Sequence, residues 1–184
     1  MKTYEAIFID RDGTLNPDPG YINSLEQFAF YDFTLPALKL LARHGHRFCI
    51  VTNQSGVGRG IIALRDLEKI HRYIENKFRE NRIPLLGIYY CPDHPERASI
   101  RRKPGPGMFF EAAREHQLNL TRCLMIGDAG SDVLAGAKLG METMLVLTGR
   151  GSQTVELLPG NDQPTYVVKN LLDGAHLIIG EEKD

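Results

Sequence analysis

The chain has 184 residues, of which 42% are apolar and 24% are charged, and its formal net charge is −1. A chain of this length buries its own core, so we predict one domain over residues 1–184, with a frayed tail at residues 180–184. The balanced charge disfavours a dedicated nucleic-acid binder, and no apolar stretch approaches the roughly 20 residues that a membrane span needs.

Apolar runs and helical spacings alternate along the chain. Strands are predicted at residues 6–9, 48–51, 87–91, 123–126 and 143–147, with an edge strand at 165–168. Helices are predicted at residues 34–42, 64–82, 108–116 and 171–178, with a short helix that Ser131 or Asp132 caps and Gly140 closes. Residues 148–164 are predicted to be mostly loop. This alternation indicates right-handed βαβ units and a doubly wound, Rossmann-like parallel sheet of the α/β class.

Asp10 and Asp12 follow the first strand, immediately before Gly13 and Thr14. In an extended chain residues i and i+2 point to the same side, so both carboxylates can face one crevice. Acids beyond the carboxyl end of a buried strand stand where open α/β sheets place their chemistry. The alternative interpretation is a surface turn rich in Asp and Gly.

Polar clusters also follow the other predicted strands. Thr52 and Asn53 follow the second strand, Lys103 lies in the loop from the third, and Asp128 and Asp132 follow the fourth. These ends share one edge of a parallel sheet, where crowded carboxylates favour Mg²⁺ as their counter-ion. The hydroxyl, amide and ammonium groups suit phosphoryl oxygens. An Asp near phosphorus can act as a nucleophile, and a second Asp can transfer protons.

Four ordered motifs resemble the haloacid dehalogenase-like (HAD) phosphatase superfamily: Asp-x-Asp-Gly-Thr at 10–14, Thr-Asn-Gln-Ser-Gly at 52–56, Arg-Lys-Pro at 102–104 and Gly-Asp-x-x-x-Asp at 127–132. The resemblance covers roughly residues 6–151. It implies that Asp10 is the nucleophile and Asp12 the general acid and base. It also implies that Thr52 and Lys103 stabilise the transferring phosphoryl group. Mg²⁺ would be held by the Asp10 carboxylate, the Asp12 backbone carbonyl and Asp128, with Asp132 supporting these ligands.

Further stretches resemble the D-glycero-D-manno-heptose 1,7-bisphosphate phosphatases and their histidinol-phosphatase-like relatives. They are residues 8–16, 18–21, 51–60, 88–92 and 102–104. This resemblance implies an essentially capless HAD fold and a Mg²⁺-dependent phosphomonoesterase, with heptose 1,7-bisphosphate favoured as the substrate. The residues that it assigns to substrate binding are Asp18, Gly20, Tyr21, Asn53, Gln54, Ser55 and Arg102.

The chain departs from these enzymes at two places. They usually carry a zinc loop before Arg-Lys-Pro, whereas this chain has Cys91 but Asp93 where the first His would stand, and it has no later cysteine pair. Since tetrahedral zinc needs four nitrogen or sulfur ligands, we expect no zinc. Ala129 also stands where the heptose enzymes tend to have a lysine.

Several alternatives remain open at this point. The substrate can be histidinol phosphate or another sugar phosphate, and a DNA 3′-phosphatase, a receiver-type signalling module and a non-catalytic binding domain are further possibilities. Arg11 is given no catalytic role, and Arg59 is either a contact for a second phosphate or a solvated loop residue. Three widely spaced cysteines favour a reducing compartment. We expect a cytoplasmic monomer that binds a small phosphorylated metabolite, without nucleic-acid or membrane partners.

Overall fold

A six-stranded parallel sheet forms the centre of the computed structural model, which describes residues 2–180. The strands are β1 (Ile7–Ile9), β2 (Phe48–Asn53), β3 (Leu85–Cys91), β4 (Leu124–Gly127), β5 (Glu142–Val146) and β6 (Tyr166–Val168). Their order is β3-β2-β1-β4-β5-β6, and every neighbouring pair is parallel. The predicted doubly wound α/β sheet is confirmed, and β1 lies inside it, between β2 and β4.

Seven helices accompany the sheet within the described range. They are α1 (Thr34–Arg43), α2 (Ser55–Gly58), α3 (Leu64–Glu80), α4 (Gly107–His116), α5 (Gly130–Lys138), α6 (Gly151–Leu157) and α7 (Leu171–Ile179). Two predictions were wrong. Residues 148–164 contain α6, which buries only Gly151 and Thr154 and so has no apolar stripe to reveal it. The N-cap of α5 is Ala129 rather than Ser131 or Asp132.

Side chains of the central strand alternate between two cores. Ile7 and Ile9 pack into the core that α1, α3 and α7 cover. Phe8 packs into the opposite core, where its ring lies 5.2 Å from that of Phe109 on α4. This alternation is the two-residue period of a strand buried on both faces. It fixes β1 between two helical layers, so the polar residues that follow Ile9 emerge at the edge of the sheet.

The connections between strands hold helices and short turns, and within residues 2–180 none contains a separately folded cap. The essentially capless architecture is therefore confirmed for this part of the chain. No helix between Lys2 and Gly180 is long and apolar enough to cross a bilayer. The tail expected at residues 180–184 lies outside the described residues, except for Gly180, the C-cap of α7.

Candidate active site

A cavity of about 350 Å³ opens at the carboxyl edge of the sheet, a volume within the usual range for small-molecule sites. Every residue that the sequence assigned to catalysis, substrate or metal lines it: Asp10, Asp12, Asp18, Gly20, Tyr21, Thr52, Asn53, Gln54, Ser55, Arg102, Lys103, Asp128 and Asp132. The ends of three strands, β1, β2 and β4, and two loops thus converge at one edge of the sheet, as the motif order predicted. The cavity also contains residues that sequence reasoning missed, among them Ile22, Ile62, Ser131 and Arg150.

Three buried carboxylates form the floor of this cavity. Asp10, Asp128 and Asp132 each place an oxygen within 4.8 Å of the others. The backbone N–H of Asp10 donates to Ile126 O at 2.9 Å, which fixes the end of β1 beside β4. Burial, together with the charges of Asp132 and Asp128, raises the pKa of Asp10 well above its usual value, against the opposing effect of Lys103. Burial and Asp132 likewise raise the pKa of Asp128 to about 6. The cluster therefore carries excess negative charge that favours a cation.

Lys103 is the one ammonium group that pairs with these carboxylates among the described residues. Its Nζ lies 2.7 Å from Asp10 Oδ1 and 2.6 Å from Asp132 Oδ1, and it donates to Val51 O at 2.7 Å. The side chain is almost fully buried. Although burial alone would lower the pKa of Lys103, the charges of Asp10 and Asp132 raise it. Lys103 is thus a fixed positive charge at the base of the cavity.

Asn53 holds the backbone of Lys103 in place. Its Nδ2 donates to Lys103 O at 3.1 Å, and its Oδ1 accepts from the Lys103 N–H at 3.0 Å. This two-bond clamp joins the end of β2 to the loop that follows β3. Asn53 lines the cavity, as the resemblance implied for a substrate contact, and each polar atom of its amide makes one hydrogen bond to the backbone of Lys103.

Asp12 is directed towards Arg11 rather than towards the carboxylate cluster. Arg11 is fully buried and donates hydrogen bonds to both carboxylate oxygens of Asp12, from Nε to Oδ1 at 2.9 Å and from Nη2 to Oδ2 at 2.7 Å. Asn16 and Gln54 donate to the same carboxylate at 2.9 and 2.7 Å. Burial acts to raise the pKa of Asp12, but the Arg11 charge and these hydrogen bonds lower it overall. Gln54 Nε2 also lies 2.9 Å from Thr52 Oγ1, so two predicted site residues are hydrogen-bonded to one another.

The loop between β5 and α6, together with α6 itself, holds Asp128. The backbone N–H of Arg150 donates to Asp128 Oδ2 at 2.8 Å, and Thr154 Oγ1 donates to Asp128 O at 2.9 Å. Thr148 Oγ1 donates to Gly13 O at 2.6 Å, which ties the same loop to the turn after β1. The segment 148–164, for which the sequence predicts mostly loop, therefore positions a carboxylate of the cluster.

We expect Gly13→Ala to reduce activity at least about 100-fold, because small displacements of reacting groups are costly. Gly13 has φ +86°, and a Cβ there would lie 2.2 Å from Asp128 Oδ2. Gly45 is a matched control, since its φ is +85° and a Cβ would meet nothing within 4 Å. Each alanine adds about 1–3 kcal/mol of backbone strain. Urea unfolding and phosphate release would separate the two effects, and equal activity in both variants would contradict the clash with Asp128.

The rim of the cavity is more open. Asp18 Oδ1 accepts from the Gly20 N–H at 2.9 Å, and its Oδ2 lies 3.3 Å from Arg150 Nη2. Tyr21 is 41% exposed, so an aromatic face is available at the mouth. Arg59, whose role the sequence left open, is exposed and does not line the cavity. The sequence signal for Arg150 was its position just after β5, at the same edge of the sheet.

Comparison with known proteins identifies the family. A family model described as HAD-hydrolase-like matches residues 100–174. The chain is 40% identical over 148 residues to the D-glycero-beta-D-manno-heptose-1,7-bisphosphate 7-phosphatase of Helicobacter pylori, covering 80% of this chain and 86% of that protein. It is 35% identical over 186 residues to the D-glycero-alpha-D-manno-heptose-1,7-bisphosphate 7-phosphatase of Burkholderia mallei, covering 97% and 96%.

A solved structure supports the same assignment. The D,D-heptose 1,7-bisphosphate phosphatase from B. bronchiseptica, complexed with magnesium and phosphate, superimposes with a TM-score of 0.87 at 30% identity. The match covers 99% of this chain and 100% of that one. The likeness therefore extends over nearly the whole length of this chain. The chain belongs to the HAD-like phosphatases, in the family of the D-glycero-D-manno-heptose-1,7-bisphosphate 7-phosphatases.

Proposed function

We propose that this chain hydrolyses the C7 phosphate of D-glycero-D-manno-heptose 1,7-bisphosphate with the help of Mg²⁺. The observation that carries the proposal is the buried cluster of Asp10, Lys103, Asp128 and Asp132 at the floor of an open cavity. The names of the family's relatives supply the substrate class. Because relatives act on both the alpha and the beta anomer, each anomer must be assayed separately.

The donor set at this floor fits Mg²⁺. The three carboxylates of the cluster, Asp10, Asp128 and Asp132, offer hard oxygen atoms, and the single ammonium of Lys103 leaves their charge only partly compensated. Asp10, Asp128 and the backbone carbonyl of Asp12 would hold the ion, with Asp132 supporting them through Lys103. When bound, Mg²⁺ would neutralise charge on the phosphoryl oxygens. The magnesium and phosphate of the B. bronchiseptica structure are consistent with this assignment.

Asp10 is proposed as the nucleophile of the first step. Lys103 holds its Oδ1, which leaves the second carboxylate oxygen to attack phosphorus. A bond forms between this oxygen and phosphorus while the bond from phosphorus to the sugar oxygen breaks. Asp12 gives its proton to the departing sugar oxygen. The products are the aspartyl-phosphate on Asp10 and the heptose with its other phosphate intact.

Asp12 reverses its role in the second step. It takes a proton from water, the water oxygen attacks phosphorus, and the bond to Asp10 breaks to release inorganic phosphate. The contacts with Arg11, Asn16 and Gln54 lower the pKa of Asp12 and favour the ionised form that this step uses. The first step needs the protonated form, and the negative charge of a bound phosphate ester raises the pKa in that direction.

We expect metal-free protein to lose thermal stability as the pH rises from about 4 to 7. Burial and Asp132 raise the folded-state pKa of Asp128 to about 6. The unfolded value is near 3.9, so in this window the folded state binds more protons and is destabilised as they leave. Mg²⁺ at about 100 times its Kd should restore about 2.7 kcal/mol. That corresponds to roughly 5–10 °C in Tm for a chain of this size.

Asp128→Asn tests whether Asp128 is the origin of the loss of stability with rising pH and of the stabilisation by Mg²⁺. Removing this carboxylate should raise the Tm of the metal-free protein at neutral pH and reduce the shift caused by Mg²⁺. The exposed Asp32 provides a matched control, Asp32→Asn, that should behave as wild type. Calorimetry at several pH values, with and without Mg²⁺, makes the measurement. A full Mg²⁺ shift in Asp128→Asn would remove Asp128 from the proposed ligands.

Phosphate release across a substrate panel tests the function itself. The panel contains both anomers of the heptose bisphosphate, a hexose bisphosphate, histidinol phosphate and a 3′-phosphorylated oligonucleotide. One heptose anomer should exceed every other substrate in kcat/KM. Faster turnover of histidinol phosphate or the oligonucleotide would support those alternatives instead. Binding of a metabolite without phosphate release would support a non-catalytic domain.

We propose that the chain needs no zinc. Cys91 is buried, and the ring of the neighbouring His94 accepts the Glu96 N–H at 3.2 Å. These two residues supply half of the four nitrogen or sulfur donors that a tetrahedral site requires. Metal analysis of the purified protein would test this point. We also propose a cytoplasmic monomer, for which the three unpaired, buried cysteines are suitable.

A further inference from the structure

Arg150 lines the cavity but has no part in the steps above. Its backbone N–H is fixed to Asp128 Oδ2 at 2.8 Å, so the residue is anchored to the carboxylate cluster. Its side chain is 68% exposed and extends to the rim. The guanidinium is thus attached to a rigid base and is exposed at the cavity mouth, where a ligand can reach it.

Three cationic side chains line the cavity: Arg102, Lys103 and Arg150. Lys103 is buried and committed to Asp10 and Asp132. The other two stand on opposite sides of the nucleophile, because Arg102 follows β3 and Arg150 follows β5, while β1 lies between them in the sheet. In a bisphosphate, one phosphate is transferred to Asp10 and the other adds two further negative charges. Arg102 and Arg150 are the cationic side chains that can balance the charge of this second phosphate.

The partner of Arg150 in this structure is weak and replaceable. Asp18 Oδ2 lies 3.3 Å from Arg150 Nη2 at an exposed position, where ion pairs add little stability. Asp18 keeps a second role without Arg150, because its Oδ1 accepts from the Gly20 N–H at 2.9 Å. A phosphate dianion carries more charge than a carboxylate and matches the guanidinium fork with two parallel hydrogen bonds. Exchange of Asp18 for a phosphate group is therefore favourable.

We propose that Arg150 binds the phosphate that is not transferred, the C1 phosphate of the bisphosphate, and releases Asp18 in doing so. The proposal rests on the proposed function, since it assumes a substrate with two phosphates. Arg150 then selects bisphosphates over monophosphates, because only a bisphosphate can place a second phosphate group at the rim while the first is bound at Asp10. It acts on binding and takes no part in bond breaking.

The test compares ligands that differ only in the C1 phosphate. In the Asp10→Asn background, which is expected to bind without turnover, calorimetry measures Kd for the heptose 1,7-bisphosphate and for the heptose 7-phosphate. Arg150→Gln should weaken bisphosphate binding about 10- to 100-fold, the usual effect of losing hydrogen bonds to a charged group. Its effect on the monophosphate should stay below about 3-fold, since that ligand lacks the contact.

Two further variants control the result. Arg150→Lys keeps the charge but lacks the fork, so its loss should be intermediate. Arg59→Gln removes an exposed arginine outside the cavity and should change neither Kd. As the salt concentration increases, the Kd for the bisphosphate should rise more steeply in the parent protein, which retains Arg150, than in the Arg150→Gln variant.

The outcomes separate the two proposals. If the bisphosphate binds more tightly than the monophosphate, yet Arg150→Gln weakens both equally or neither, the role of Arg150 is overturned and the proposed function stands. If the parent protein does not distinguish the two ligands, there is no subsite for the second phosphate and the role of Arg150 is overturned, while the proposed function is decided by the phosphate-release panel. A loss confined to the bisphosphate supports Arg150 as the specificity residue.

Discussion

Asp10→Asn is expected to reduce the rate of phosphate release at least about 10⁴-fold, the order of loss when a covalent nucleophile is removed. An amide oxygen cannot replace the carboxylate in attack on phosphorus, and the aspartyl-phosphate cannot form. The loss should appear in kcat and persist at saturating substrate. Phosphate release under multiple-turnover conditions measures it, with intact-protein mass spectrometry after an acid quench to detect the phosphorylated enzyme.

Asp32→Asn is the matched control, because Asp32 is exposed. It should retain wild-type kcat and should trap the same phosphoenzyme. The melting temperature of Asp10→Asn should change little, because Lys103 keeps Asp132 as an ion-pair partner at 2.6 Å and asparagine removes a buried carboxylate whose raised pKa makes its ionisation unfavourable. Comparable rates in the two variants, or a phosphoenzyme in Asp10→Asn, would assign the nucleophile to another residue.

Lys103→Met should reduce both stability and activity. It keeps the length of the side chain but removes the charge between Asp10 and Asp132, at 2.7 and 2.6 Å. Breaking a buried ion pair by removing one partner lowers the free energy of unfolding by about 3–5 kcal/mol. Loss of a preorganised charge at the reacting phosphoryl group lowers kcat by about 10²- to 10³-fold. Urea unfolding and phosphate release measure the two effects.

Adding Mg²⁺ should separate the loss of stability from the loss of activity in Lys103→Met. The ion should restore part of the lost stability of Lys103→Met, because it supplies positive charge to the same carboxylates, but kcat should remain low. Lys69→Met is a suitable control, since Lys69 pairs with Asp66 at 2.8 Å on the surface of α3. That pair should contribute about 1 kcal/mol or less. Normal activity in Lys103→Met would show that Lys103 has only a structural role.

The sequence alone placed the acidic and cationic groups correctly because of a simple rule. Asp10, Thr52 and Asp128 each stand where an apolar run ends, and parallel strands bring such ends to one edge. Lys103 was located by its Arg-Lys-Pro motif. These features depend on local pattern and on the handedness of βαβ units, both of which can be read from one chain.

The directions of individual side chains could not be predicted in the same way. Asn53 is expected to touch substrate, and nothing in the sequence indicates that its amide also clamps the backbone of Lys103, a residue 50 positions away. Asp12 was expected to face the same crevice as Asp10, and it lines the cavity while Arg11 holds its carboxylate. Which partner a polar side chain takes is decided by the packing around it, and neither the contact of Asn53 with a distant residue nor that of Asp12 with its neighbour follows from the spacing of the motifs.

Helix α6 and Arg150 were missed for a related reason. The helix buries a glycine and a threonine, so no apolar periodicity marks it. Its function is to bring the Arg150 N–H and the Thr154 hydroxyl to Asp128. A segment that contributes hydrogen bonds rather than apolar surface gives little signal to methods that depend on hydrophobic pattern.

Since residues 2–180 contain no cap, the cavity is formed by the catalytic edge of the sheet and by rim loops, and these two parts can evolve separately. Asp10, Lys103 and Asp128 are fixed by strand ends and buried contacts, whereas Asp18 and Tyr21 lie at the rim, in the loop between β1 and α1. Exchanges in such rim loops change which metabolite is accepted while leaving phosphoryl transfer intact. New substrate ranges can therefore arise on this scaffold by loop replacement, without rebuilding its chemistry.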